Sequence, residues 1–139
     1  MTEYPENIFD VLYKIDVNDK TEKKGSLTYL SWAWAWAEVK KKYPHASYEV
    51  WRDPETNLPY VHDPKTGYMV FVDVKVDGIT HSMWLPVMNH RNQALENPTM
   101  TDINKTIMRC LAKGLAMHGL GLYIYAVQDL PEPTFTTKE

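Results

Sequence analysis

The dipeptide Asp77-Gly78 stands between two alternating runs, YMVFVDVKV (68–76) and ITHSMWLP (79–86). Asp-Gly in that setting is the sequence of a two-residue type I′ hairpin turn, because both central residues need positive φ. It constrains the chain more than any other feature, since strands joined by two residues are antiparallel neighbours. Placing Val76 opposite Ile79 sets the register. Val74 then faces His81, Val72 faces Met83 and Val70 faces Leu85; on the other side Lys75 meets Thr80, Asp73 meets Ser82 and Phe71 meets Trp84. The first set suits a core. The second is polar near the turn and aromatic further out. Pro86 has no N–H to give to a ladder, so it ends the second strand or marks it as an edge.

The remaining segments fit around this hairpin. NIFDVLYKI (7–15) reads as a short amphipathic helix with Ile8, Leu12 and Ile15 on one face and Phe9 and Val11 beside it. DVNDKTEKKGS (16–26) reads as a charged, flexible link. ASYEVW (46–51) is a short strand, and RDPETNLPYVHDPKTG (52–67) and MNHRNQALENP (88–98) are loops. TMTDINKTIMRCLAKGLAMHGLG (99–121) is a long helix: Thr99 or Thr101 caps it, Asp102 suits its first turn, and Gly119 and Gly121 suit its exit. LYIYAV (122–127) is short and β-like. The fold class is α+β: an antiparallel sheet, made of the hairpin and a further strand, packed against a long helix, with additional N-terminal helices. Residues 1–130 form one domain, and the polar, proline-containing tail 131–139 is expected to be disordered. Its end directly after the domain leaves room for a longer natural chain.

SWAWAWAEVKKKYP (31–44) alternates like a strand but is composed like a helix. Ala33, Ala35 and Ala37 are strong helix formers and poor strand formers. Ser31 stands at an N-cap, Lys40, Lys41 and Lys42 complement the dipole of the last turn, and Pro44 stops the segment. At 100° per residue, Trp32, Trp36, Val39 and Tyr43 share one face, which makes Trp32 and Trp36 core residues. Trp34 points the other way, towards an internal packing contact, a subunit contact or base stacking.

Composition narrows the classes of function. The chain of 139 residues has no apolar run long enough for a transmembrane helix, and MTEYPENIFD is not a signal peptide. A single cysteine, Cys110, excludes an internal disulfide and points to a reducing compartment. The net charge of -3 argues against nucleic-acid affinity from bulk charge, but not from segregated charge.

Segregation is present in the long helix. Ile103, Ile107, Cys110, Leu111, Gly114, Leu115 and His118 form an apolar arc, with His118 and Cys110 reading as core residues. Lys105, Arg109 and Lys113 recur four apart on the opposite side, flanked by Asp102, Thr106, Ala112 and Ala116, a basic stripe with small, uncrowded flanks. Such a stripe is often only a solvated face, but its spacing also suits charge-assisted contacts to successive phosphates.

The segment TMTDINKTIMRCLAKGLAMHGLGLYIY, following SMWLPVMN and preceded by LTYLSWAWAWAEVKKKYP, resembles the phage and prophage single-strand annealing recombinases. More narrowly, it is similar to a small uncharacterised-domain group placed with the Red-beta/RecT, Erf and Sak groups, and the likeness runs from about residue 7 to 131. The resemblance implies a sheet backed by a long helix, assembled into rings or helical oligomers, with single-stranded DNA in a basic groove. It implies annealing without metal or nucleotide cofactor, in the cytoplasm of a bacterial host. A phage exonuclease and the host single-strand-binding protein are the implied partners. Carried over by position, the groove residues are Lys105, Arg109 and Lys113, with Lys75 and the Phe71–Trp84 pair from the hairpin, and Arg91 and His90 from the loop after it. The chain departs from the family pattern after GLYIYA, where Val127 and Gln128 precede Asp129 in place of an immediate acidic residue.

Two other classes compete. A metal-dependent nuclease needs converging carboxylates, for which Asp53, Glu55, Asp63 and Asp73 are the candidates. There is no P-loop, H-E-x-x-H, C-x-x-C or G-x-S-x-G pattern, so no catalytic constellation is recognisable. A non-catalytic interaction module would use Trp34 and the 52–67 loop.

Overall fold

The computed structural model describes residues 7–24, 27–89 and 91–128. The expected disorder of 131–139 and the position of His90 lie outside them. The Asp77-Gly78 turn forms with φ of 51° and 86°, and it joins β5 (Gly67–Val76) to β6 (Ile79–Pro86) in the register set by Val76 and Ile79. The sheet has four antiparallel strands centred on β5. One side of β5 carries β6. The other is shared by β3 (Ser47–Val50), beside Val72–Lys75, and β4 (Val61–Asp63), beside Gly67–Met69.

Helix α3 (Met100–Met117) lies across the face that carries Val70, Val72, Val74 and Val76, all of them fully buried. Its start is a capping box: the Thr99 hydroxyl accepts from the Asp102 N–H, and the Asp102 carboxylate accepts from the Thr99 N–H. Of the two threonines considered, Thr99 is therefore the cap. Ile103, Ile107, Cys110, Leu111 and Leu115 fill the interface with the sheet, as the apolar arc requires. Gly114 lets helix and strand approach closely, because a Cβ there would stand 2.5 Å from Val74 Cγ2.

Helices α1 (Ile8–Tyr13) and α2 (Trp32–Lys42) complete the core through Leu12, Ala35 and Val39. Ser31 caps α2, accepting from the Trp34 N–H at 3.3 Å. The run of alternating tryptophans is thus helical, but Trp32 is not core. It is 42% exposed, and the buried line of α2 passes through Ala35 and Val39 instead. Trp34 and Trp36 flank that line, half-buried.

Several expectations need correction. Within the segment expected to be a flexible link, residues 16–24 are ordered as a 3-10 turn (Asn18–Lys20) leading into β1 (Thr21–Lys24), which pairs with β2 (Leu27–Leu30), while residues 25 and 26 lie outside the described residues. Residues 52–67 are not all loop, because they supply β4. The flanks of the basic stripe are crowded, with Thr106, Ala112 and Ala116 buried; their small size admits neighbouring elements. Residues 122–127 are helical, in α4 (Leu122–Gln128). A helix satisfies its own backbone groups. Ile124 is buried there, and the Tyr123 hydroxyl accepts from the Val17 N–H at 3.0 Å. Among the described residues, no helix is long and apolar enough to cross a membrane.

Candidate nucleic-acid interface

The small hairpin β1–β2 shapes the surface. The Ser31 N–H donates to the Lys20 carbonyl at 3.0 Å, which ties the start of α2 to the base of β1. Trp32 is thereby placed beside the N-terminal half of α3. Between them lies an open cleft of about 730 Å³, lined by Lys20, Tyr29, Trp32, Asn104, Lys105 and Arg109 among others.

Lys105 and Arg109 are one helical turn apart and open on the same cleft. Arg109 does not hang free in water: its guanidinium carbon lies 4.3 Å from the centre of the Tyr29 ring. That contact sets the cation over an aromatic face and restricts its rotamers. The Tyr29 hydroxyl is buried without a hydrogen-bond partner among the described residues. Lys20 and Lys105 are exposed, as is the Trp32 indole. Glu22 is the carboxylate in the lining. The cleft therefore offers exposed lysines and a ring-held arginine beside an exposed aromatic plane, the chemistry that meets a phosphate backbone and an unpaired base.

The other residues singled out from the sequence lie elsewhere. Lys113 is a further turn along α3, half-buried and outside the cleft lining. Lys75 is on the far face of the sheet, in a shallow concavity with Glu49 and Asp73, where two carboxylates offset its charge. Arg91 is exposed after β6, and its N–H donates to Asn89 Oδ1 at 2.8 Å. Trp34 is half-buried and packs on the core. Phe71 and Trp84 pair across strands on the far face of the sheet, and Trp51 meets the Phe71 ring edge-on at 5.4 Å. Three cleft residues escape sequence reasoning: Lys20, Tyr29 and Trp32. Their signal was the Gly25-Ser26 dipeptide before LTYL, a hairpin pattern masked by the run of charges.

The acidic loops are spoken for locally. Hydrogen bonds from the Thr56 and Glu55 N–H groups lower the pKa of Asp53. The Thr66 hydroxyl, with the Lys65 and Thr66 N–H groups, does the same for Asp63. Among the described residues, no group of histidine, cysteine, aspartate or glutamate side chains converges as a metal ion would require. His118 is buried with Nε2 2.9 Å from the Val74 carbonyl and its ring 4.4 Å from that of His81. Burial lowers its pKa, and His81 acts in the same direction, against the Val74 hydrogen bond.

Comparison with protein families gives one finding of identity. Residues 7–139 match the family described as Sak Single Strand Annealing Protein. No curated protein and no solved structure matches the chain.

Proposed function

The chain belongs to the Sak single strand annealing protein family, and on that premise we propose that it binds single-stranded DNA in the cleft between β1–β2, Trp32 and α3 and anneals complementary strands in phage-type recombination. The observation that carries this reading is the pairing of Lys105 with a Tyr29-held Arg109 beside an exposed Trp32. The cations meet backbone phosphates, which gives affinity independent of sequence and weakened by salt. Trp32 stacks on an unpaired base without reading its Watson–Crick edge. The edge stays available for a complementary strand. Duplex formation supplies the free energy, so annealing runs without ATP and without a catalytic constellation.

A pair of phosphate contacts is a weak interaction for one subunit. The protein works as a homo-oligomer, in which a strand that leaves one cleft is held by the next and weak contacts multiply. Residues 1–130 form the annealing domain. A phage exonuclease would supply the single strands, and the host single-strand-binding protein would share them.

The test is annealing of two complementary oligonucleotides without nucleotide, with strand binding read by fluorescence anisotropy in the same samples. Acceleration over the spontaneous rate, with salt-sensitive binding, is the expected result. Protein that neither binds nor accelerates would refute the reading, and magnesium-dependent degradation of the strands would replace it with a nuclease.

A further inference from the structure

Two depressions flank α3 and share a wall. The cleft takes Asn104, Lys105, Met108 and Arg109 from the helix. A second, smaller groove of about 460 Å³ takes Met100, Ile103, Asn104, Ile107 and Met108. Asn104 and Met108 stand one turn apart and line both. They form a ridge, with Lys105 and Arg109 on one flank and apolar side chains on the other.

The opposite wall of the groove comes from the end of β3 and the loop after it, through Tyr48, Arg52 and Leu58 among others. Ile103 and Ile107 are buried and floor it. Met100 is 58% exposed and Tyr48 40%, so large apolar surfaces stay open to solvent. The Tyr48 ring is held, meeting the Trp36 ring near a right angle at 5.2 Å. Among the described residues, Arg52 is the one charged residue of the lining. Its guanidinium donates to the Asn57 carbonyl at 3.1 Å. That carbonyl belongs to a tight loop, in which the Asn57 N–H donates to the Asp53 carbonyl at 2.8 Å and the Asp53 N–H to the Leu58 carbonyl at 2.9 Å. The Asp53 carboxylate is turned to the N–H groups of Glu55 and Thr56. Arg52 is thus a positioned cation with further N–H donors for an anion.

Resting on the annealing reading, we infer that this groove is a second subsite for the same DNA strand, which crosses α3 over the Asn104–Met108 ridge. Arg52 takes a phosphate, and Tyr48 with Met100 seats a base. The chemistry of the lining favours this occupant. An apolar floor with one positioned cation and no carboxylate suits a ligand that carries an anion beside a flat apolar face, which describes a nucleotide. The shared ridge makes the groove continuous with the cleft, so one strand meets Lys105 and Arg109 on one side and Arg52 on the other. The Asn104 carboxamide on the ridge supplies N–H donors to the backbone between them. An apolar peptide would use the floor and leave Arg52 without a counter-charge. The path from Met100 to Arg109 covers about 13 Å of helix axis. A strand draped over the ridge is held on both flanks and lifted between them, which leaves the intervening bases clear for a complement.

The test is anisotropy of a labelled oligothymidylate over a range of salt, with the full chain. Arg52→Ala is expected to weaken binding and to reduce the slope of log affinity against log salt by about 0.7, while Arg52→Lys keeps the slope. Tyr48→Leu is expected to weaken binding by about fivefold or more with the slope kept. A second measurement needs no change of Arg52. Met100→Cys carries an environment-sensitive fluorophore, the native Cys110 being buried. Its emission is expected to shift when the strand is added, whereas the same label on Lys75→Cys, across the sheet, stays silent. Should Arg52→Ala disturb the loop, this label decides. A parental slope in a folded Arg52→Ala, or a label at position 100 as silent as the one at 75, would overturn the second subsite. The cleft would stand in that case provided that Lys105→Ala still weakens binding. A parent chain that ignores the strand would refute the functional reading and the subsite with it.

Discussion

Gly114 on α3 approaches β5 so closely that a Cβ on it would stand 2.5 Å from Val74 Cγ2. Alanine at a helical position ordinarily favours the helix by about 1 kcal/mol over glycine. Here the overlap is with the fully buried, β-branched side chain of Val74, which has no flexible end to move aside. Overpacking of this kind costs about 1–3 kcal/mol, so Gly114→Ala is expected to destabilise the fold. Urea denaturation measures it. Adding Val74→Ala is expected to cost less than the two single changes summed, because the second removes the clash of the first.

The His118 imidazole sits between α3 and β5 with its pKa lowered by burial and by His81. Folding thus favours the neutral ring. Well above the unfolded value of about 6.5 this contribution to stability is complete. As pH falls through it, the unfolded chain takes up the proton first and stability declines, until the lowered folded value is passed. Thermal melts between pH 7 and 5 are expected to show this decline. In His118→Gln, which keeps a donor for the Val74 carbonyl and does not titrate, the slope should flatten. An unchanged slope would assign the pH dependence to other groups.

These two contacts also show what the sequence made legible. The Asp77-Gly78 turn and alternation gave β5, β6 and their register residue by residue, because both signals are local. The apolar arc of α3 identified its buried face for the same reason. The cleft was half legible. Lys105 and Arg109 announce themselves by spacing, but Tyr29 and Trp32 acquire their role only when β1–β2 folds beside α3. That is a tertiary event which helical periodicity does not encode. Likewise α4 reads as β-like by propensity, and its helix packs against α3 and β2, a tertiary setting that propensity does not encode.

Cys110 is fully buried against the sheet, and its thiol pKa is pushed up to about 12, mainly by burial. The nucleophilic thiolate is therefore nearly absent at pH 8. Native protein is expected to react with a thiol reagent only as fast as it opens, whereas protein in denaturant reacts within the mixing time of an ordinary free thiol. Rapid labelling of the native chain would mean that α3 leaves the sheet far more readily than its packing implies.

The cleft makes quantitative demands on DNA binding. Removing one cation that meets a phosphate should reduce the slope of log affinity against log salt by about 0.7 for a single strand. Lys105→Ala and Arg109→Ala are each expected to show that change. Lys75→Ala, beside Glu49 and Asp73 on the far face of the sheet, should leave the slope unaltered. Trp32→Ala removes a stacking plane worth about 1–3 kcal/mol per base, so affinity should fall by about 5-fold to 160-fold with the salt slope kept. Because Trp32 is 42% exposed, its removal should change thermal stability little. Tyr29→Leu separates position from charge: Arg109 keeps its cation but loses the face that orients it, so affinity should drop while the slope falls by less than in Arg109→Ala. If Lys75→Ala weakens binding as much as Lys105→Ala does, the strand runs over the far face of the sheet and not through the cleft.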